Sequence, residues 1–127
     1  MITIKGKNFV YFDVDDTLIN WNRRDTENSF IFTIPDSGGV WCMEANWDIV
    51  RKLKEHKRNG DTVVVWSQGG WDWAEEVVSV LNLQQYVDVI MSKPHRYYDD
   101  LHCSVFMEDI WMKVKNNSFE LIRKAQP

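Results

Sequence analysis

The sequence predicts an α/β fold of three layers: a central parallel sheet of about five strands, helices on both faces, and a small hairpin flap after the first strand. Three observations carry that expectation. Short apolar runs stop abruptly at polar residues, stretches of helical periodicity lie between them, and one aromatic and β-branched run followed by a Pro/Gly-rich turn interrupts the alternation.

Phe9-Val10-Tyr11-Phe12 is apolar without alternation and ends at Asp13, the pattern of a central strand covered on both faces. Between Asn20 and Trp41 no helical period holds. Phe30-Ile31-Phe32-Thr33-Ile34, then Pro35-Asp36-Ser37-Gly38-Gly39, then Val40-Trp41 predict a hairpin, so residues 20–44 are assigned to the flap. Ala45, Ile49, Val50 and Leu53 recur at helical spacing, and Gly60 supplies a stop. Val63-Val64-Val65-Trp66 ends at Ser67 as a second buried strand. Asp72, a candidate N-cap with Glu75 three residues on, opens a second helix whose stripe is Ala74, Val77, Val78 and Leu81. Val87-Asp88-Val89-Ile90-Met91, Arg96-Tyr97-Tyr98 and Ile110-Trp111-Met112-Lys113-Val114 read as three further strands. Asn117-Ser118 caps a short last helix through Phe119, Leu121 and Ile122. Strands alternating with helices make a Rossmann-like sheet, and ligands of such sheets sit beyond the carboxyl ends of the strands. Asp13, Ser67 and Asp99-Asp100 are expected to gather there.

A chain of 127 residues is sized for one domain, taken as 1–127. With 44% hydrophobic and 27% charged residues it is globular rather than disordered. A net charge of -4 disfavours broad capture of nucleic acid or an anionic membrane surface. Cys42 and Cys103 lack metal-ligand spacing and read as reduced thiols. Met1 to Lys7 do not form a secretory signal, and no apolar run reaches the roughly 20 residues that span a bilayer, so the expected location is the cytoplasm. Oligomeric state is not encoded in any of these features.

The chemistry concentrates in Asp13-Val14-Asp15-Asp16-Thr17, three carboxylates within four residues directly after a buried strand. A solvated acidic turn is the bland alternative for such a cluster. At a strand end, uncompensated negative charge is costly and calls for a cation. Magnesium fits, because it takes oxygen ligands, keeps several waters and is held by one or two carboxylates with a substrate phosphate.

Here the chain resembles the haloacid dehalogenase superfamily of aspartate-nucleophile phosphohydrolases. Asp13-Val14-Asp15-Asp16-Thr17 matches its Asp-x-Asp-x-Thr motif, Val63-Val64-Val65-Trp66-Ser67 its strand ending in Ser or Thr, and Met91-Ser92-Lys93-Pro94 its lysine after a short strand. Its closing acidic pair matches Asp99-Asp100, with Glu108-Asp109 as a rival. The rival leaves no room for a crossover before a strand at Ile110, which favours Asp99-Asp100.

The resemblance implies that Asp13 attacks phosphorus and forms an aspartyl-phosphate that water hydrolyses, while Asp15 protonates the leaving oxygen and then activates that water. It implies Mg2+ as cofactor, with Asp13, the Asp15 position through its backbone carbonyl, and Asp100 as ligands; Asp99 is the neighbouring candidate and the expected partner of Lys93. Ser67 and Lys93 would contact the phosphoryl oxygens. Gln68 and Gly69 would add contacts at a helix start, and Thr17 would fix the loop through its hydroxyl. A dehalogenase needs no acid at position 15, so Asp15 favours a phosphatase acting on a phosphate monoester. Nucleotides, sugar phosphates and macromolecular phosphate ends all fit an open site with a hairpin cap.

Two other classes compete. A phosphoacceptor receiver domain carries its aspartate at the end of the third strand, where this chain has Ile90-Met91-Ser92; a catalytically silent binding module would keep the motif without turnover. Of the seven tryptophans, Trp47, Trp66 and Trp111 read as packing residues, and Trp21 and Trp41, flanking the hairpin, as candidates to stack on a flat leaving group. His56, His95 and His102 share no metal-ligand spacing, and Arg23-Arg24 reads as a solvated pair.

Overall fold

A computed structural model of the chain describes residues 1–21, 29–34 and 39–111; of residues 29–34 and 39–42 it describes the backbone. The chain divides into two compact units, Met1–Pro94 and His95–Pro127.

The first unit is built on a parallel sheet of β1 (Phe9–Asp13), β5 (Thr62–Ser67) and β6 (Val89–Ser92), in the order β1-β5-β6. A second sheet is antiparallel, with β4 (Gly39–Ala45) between β2 (Ile19–Trp21) and β3 (Ser29–Ile34). The expected hairpin is thus β3 and β4, with β2 added as a third strand; its tip, Pro35 to Gly38, lies outside the described residues, as do Arg23 and Arg24.

Two helices carry the crossovers. In α1 (Trp47–Arg58), Ile49, Val50 and Leu53 are buried. Its end is a Schellman motif: the N–H of Gly60, at φ 88°, donates to Lys57 O, and that of Asp61 to His56 O. In α2 (Trp71–Val80), Ala74, Val77 and Val78 are buried, and the same motif follows with Asn82 in the left-handed position. The helix begins earlier than the sequence predicts. Gly70 is its N-cap, and Asp72 lies within the first turn, its Oδ1 accepting the N–H of Trp73 at 3.0 Å.

The register sorts the parallel sheet into two faces. Phe12, Val65 and Ile90 share one, with Ser67 and Ser92 at its end; Tyr11, Val64, Trp66 and Met91 share the other. His56 of α1 packs edge-on against Phe12, ring centroids 6.0 Å apart, and the N–H of Trp71, opening α2, donates to Ser92 Oγ at 2.9 Å. Both helices therefore cover the Phe12 face. Right-handed crossovers that advance the sheet twice in one direction require this. On the opposite face Tyr11 and Trp66 pack with centroids 4.4 Å apart.

The expectation of about five strands with helices on both faces is corrected accordingly: among the described residues the parallel sheet has three strands, and its two helices share a face. The third strand starts two residues later than expected: the Asp88 N–H still donates to Val63 O at 2.9 Å, but the Val63 N–H is accepted at 2.8 Å by the Asp88 carboxylate in place of a backbone carbonyl, and that carboxylate also accepts Lys57 Nζ at 2.6 Å. Burial pushes the Asp88 carboxyl up, but the Lys57 bond, the Val63 N–H and the Lys57 charge together hold it below the usual carboxylate range.

In the second unit, Arg96-Tyr97-Tyr98 forms no strand. Pro94 precedes it, Tyr98 is fully exposed, and Asp99 Oδ1 turns back to accept the Leu101 N–H at 3.0 Å, a local turn in place of a ladder. A single 3-10 turn spans Cys103–Val105. Ile110 and Trp111 are helical rather than extended, and the predicted last helix lies outside the described residues. Among the described residues no helix is long and apolar enough to cross a membrane.

Candidate functional site

The loop after β1 is shaped by three buried apolar side chains, Val14, Leu18 and Ile19, which pin it to the core while the acidic residues between them stay partly or fully exposed. The carbonyl of Val14 accepts N–H bonds from Thr17, Leu18 and Ile19 at 3.3, 3.0 and 3.1 Å. So compact a turn needs one left-handed residue, supplied by Asp16 at φ 58°; Asp tolerates this better than most residues. Thr17 joins this turn through its backbone N–H, a bond that any residue there could make and that does not involve the hydroxyl to which the sequence assigns the role. The Asp16 Oδ1 lies 3.5 Å from the Trp21 backbone N.

At the strand ends, Asp13 Oδ1 lies 3.2 Å from Lys93 Nζ, both side chains about one-third exposed. Lys93 is one residue past Ser92, so alternation returns it to the Tyr11 face, where its ammonium also sits 5.8 Å from the Trp66 ring. The carboxylate beside the lysine is therefore the nucleophile candidate Asp13, where the sequence predicts Asp99. The Lys93 N–H donates to Ser67 O at 2.9 Å, which locks the lysine's backbone to the end of β5.

Ser67 is fully buried, the one buried polar residue of the described core. Its Oγ accepts the Gly69 N–H at 3.0 Å, and its carbonyl accepts the Gly70 N–H at 3.2 Å. Gln68 and Gly69 are exposed in the turn between β5 and α2. Gly69 is packed between Ser67 and Trp73, since a Cβ there would come 3.4 Å from Ser67 Oγ and 3.5 Å from Trp73 Cδ1.

Asp15 is held by two indoles. Trp21 Nε1 donates to its Oδ1 at 2.9 Å and Trp73 Nε1 to the same oxygen at 3.2 Å. The two rings stack, centroids 6.3 Å apart and planes 24° apart. Asp13 is thus tied to Lys93, Lys93 through its N–H to Ser67, and Ser67 to the Gly69 N–H, while Trp73 of the following helix bonds Asp15.

Sequence alone assigns Trp21 to leaving-group stacking and passes over Trp73 and Ser92, which lie here beside the predicted residues. A first-turn position on a helix that starts at a strand end is the available signal. The side chains of Trp41 and Cys42 lie outside the described residues. Asp99 and Asp100 are exposed in the second unit, and the crossover argument that prefers them over Glu108-Asp109 assumes a strand at Ile110 that is not formed.

For a divalent cation, Asp13 and the Asp15 backbone carbonyl offer hard oxygen donors. Among the described residues no three His, Cys, Asp or Glu side chains converge as a cage. Such a sparse oxygen set fits magnesium, which keeps most of its waters, and does not fit zinc. Compared with family models, curated proteins and solved structures, the chain matches none.

Proposed function

We propose that the chain is a magnesium-dependent phosphatase of haloacid dehalogenase type, hydrolysing a phosphate monoester through an aspartyl-phosphate on Asp13. The observation that carries the reading is the convergence of Asp13, Lys93 and Ser67 at adjacent parallel strand ends, with Asp15 clasped alongside. The Asp13 oxygen not engaged by Lys93, Oδ2, would attack phosphorus in line with the leaving oxygen. Lys93 and the Ser67 hydroxyl would stabilise the negative charge spread over the equatorial oxygens. Asp15 would give a proton to the departing alkoxide and take one from the water that cleaves the acyl phosphate, dividing one hard step into two easier ones. Asp13 and the Asp15 carbonyl would hold magnesium, which would supply positive charge to offset that of the carboxylate and the phosphate.

The test is a screen of phosphate esters with magnesium, run on wild type and Asp13→Asn in parallel. Continuous phosphate release by wild type, lost in the variant, is expected. One stable phosphorylation without turnover would assign a receiver instead, and absence of any reaction across the screen would leave a binding module.

A further inference from the structure

The two indoles on Asp15 do more than fill space. Both N–H groups point at a single oxygen, Oδ1, at 2.9 and 3.2 Å, from elements far apart in sequence. Trp21 is fixed by the pairing of β2 with β4, opposite Met43, and Trp73 by the first turn of α2. A carboxyl oxygen has two lone pairs in the carboxyl plane, and an oxygen that accepts two N–H bonds has none left for a proton. When Asp15 is neutral, Oδ1 is therefore its carbonyl oxygen and the proton resides on Oδ2. Rotating the group by half a turn would break both bonds at once and aim an O–H at two N–H donors.

We propose that Trp21 and Trp73 are positioning residues that clasp Oδ1 of Asp15 and reserve Oδ2 for proton exchange with the leaving group and with water. The inference rests on the phosphatase reading. In the first half-reaction an Asp13 oxygen forms a bond to phosphorus while the bond from phosphorus to the leaving oxygen breaks, and that oxygen takes the proton as the Oδ2–H bond of Asp15 breaks. In the second, water attacks phosphorus, its proton passes to Oδ2, and the bond from Asp13 to phosphorus breaks, which restores both carboxyl groups. Indole N–H groups suit this duty because Oδ1 can accept them both as a carboxylate oxygen and as the carbonyl oxygen of the neutral acid, more strongly in the first case. The clasp therefore survives both halves of the cycle.

The test compares kcat/KM, which covers steps through formation of the aspartyl-phosphate, for glycerol phosphate and 4-nitrophenyl phosphate in wild type, Trp21→Phe and Trp73→Phe. An alkoxide must be protonated to leave and a nitrophenolate need not. Each variant is expected to lose about tenfold to a hundredfold on the alkyl ester and less than about threefold on the aryl ester. An equal loss on both esters, or no loss on either, overturns the clasp while leaving the phosphatase reading intact. A wild-type protein inert to both esters overturns the phosphatase reading and the proposal with it. Independently of turnover, two of the indole N–H proton resonances should move in Asp15→Ala; if they stay in place, the bonds are not made in solution and the proposal falls, even if a Phe variant fails to fold.

Discussion

Gly70 lies in the turn that joins the end of β5 to α2, and its replacement by alanine measures how strongly that junction is constrained. Its backbone sits at φ 111° and ψ 161°, a region essentially closed to residues with a side chain, where occupancy costs about 1–3 kcal/mol. A Cβ would also stand 2.7 Å from Asp72 Oδ1. That oxygen holds the Trp73 N–H, so Asp72 must swing away and give up a bond worth about 0.5–1.5 kcal/mol. The loss for Gly70→Ala should be about 2–4 kcal/mol. Gly60→Ala is the control. At φ 88° with nothing within 4 Å of an added methyl group, it carries the backbone cost alone, about 1–2 kcal/mol.

Urea unfolding followed by tryptophan fluorescence reads both variants against wild type, with an unchanged m-value required for comparison. Measured against Asp72→Ala alone, Gly70→Ala/Asp72→Ala should lose only the backbone share, because the carboxyl that the added methyl group displaces, and its bond to the Trp73 N–H, are already gone. If Gly70→Ala costs no more than Gly60→Ala, or costs as much in the Asp72→Ala background as in wild type, the junction is not built as described. The consequence reaches the site, because a displaced first turn of α2 withdraws the Trp73 indole from Asp15.

Two further outcomes follow from other contacts. Asp88, held below the usual carboxylate range by Lys57 and the Val63 N–H, contributes stability that is fully present above its unfolded value of about 3.9 and lost as pH falls through its lower folded value. Wild type should therefore lose urea resistance in that acid window and Asp88→Asn should lose less; parallel pH profiles for the two would contradict the assignment. Lys93→Ala should lower kcat/KM by about a hundredfold to a thousandfold on the proposed reading, yet change unfolding stability by less than about 1 kcal/mol, because its pair with Asp13 is partly solvated. Full activity in that variant would remove Lys93 from the site.

What the sequence discloses depends on how locally each feature is encoded. β1 and β5 are contiguous apolar runs, and the stripes of α1 and α2 repeat along each helix, so each is specified by its own residues. β2 is three residues, Ile19-Asn20-Trp21, with no strand pattern of its own; it forms because β4 offers an edge. Arg96-Tyr97-Tyr98 fails for the reverse reason: three residues after a proline need a paired neighbour, and Asp99 satisfies a local turn first. In the site, Asp13, Ser67 and Lys93 are legible because strand ends converge by topology. The bond from Trp73 to Asp15 joins residues 58 positions apart and leaves no trace in either local sequence.

The acidic cluster predicts a cation, and the described partners divide the task by chemical kind. Asp13 faces an ammonium, which brings a full positive charge to one of its oxygens. Asp15, two residues away, faces two neutral donors that bring direction without a countercharge. A nucleophile benefits from the first arrangement, since a protonated carboxyl cannot attack. On the proposed reading, a group that must pass a proton back and forth benefits from the second, since two donors fixed on one oxygen leave the other to carry the proton. The two carboxylates, placed by one strand end and one tight turn, thus meet donors of different kind from α2, β2 and the end of β6, and the proposed reading assigns them different tasks on that ground.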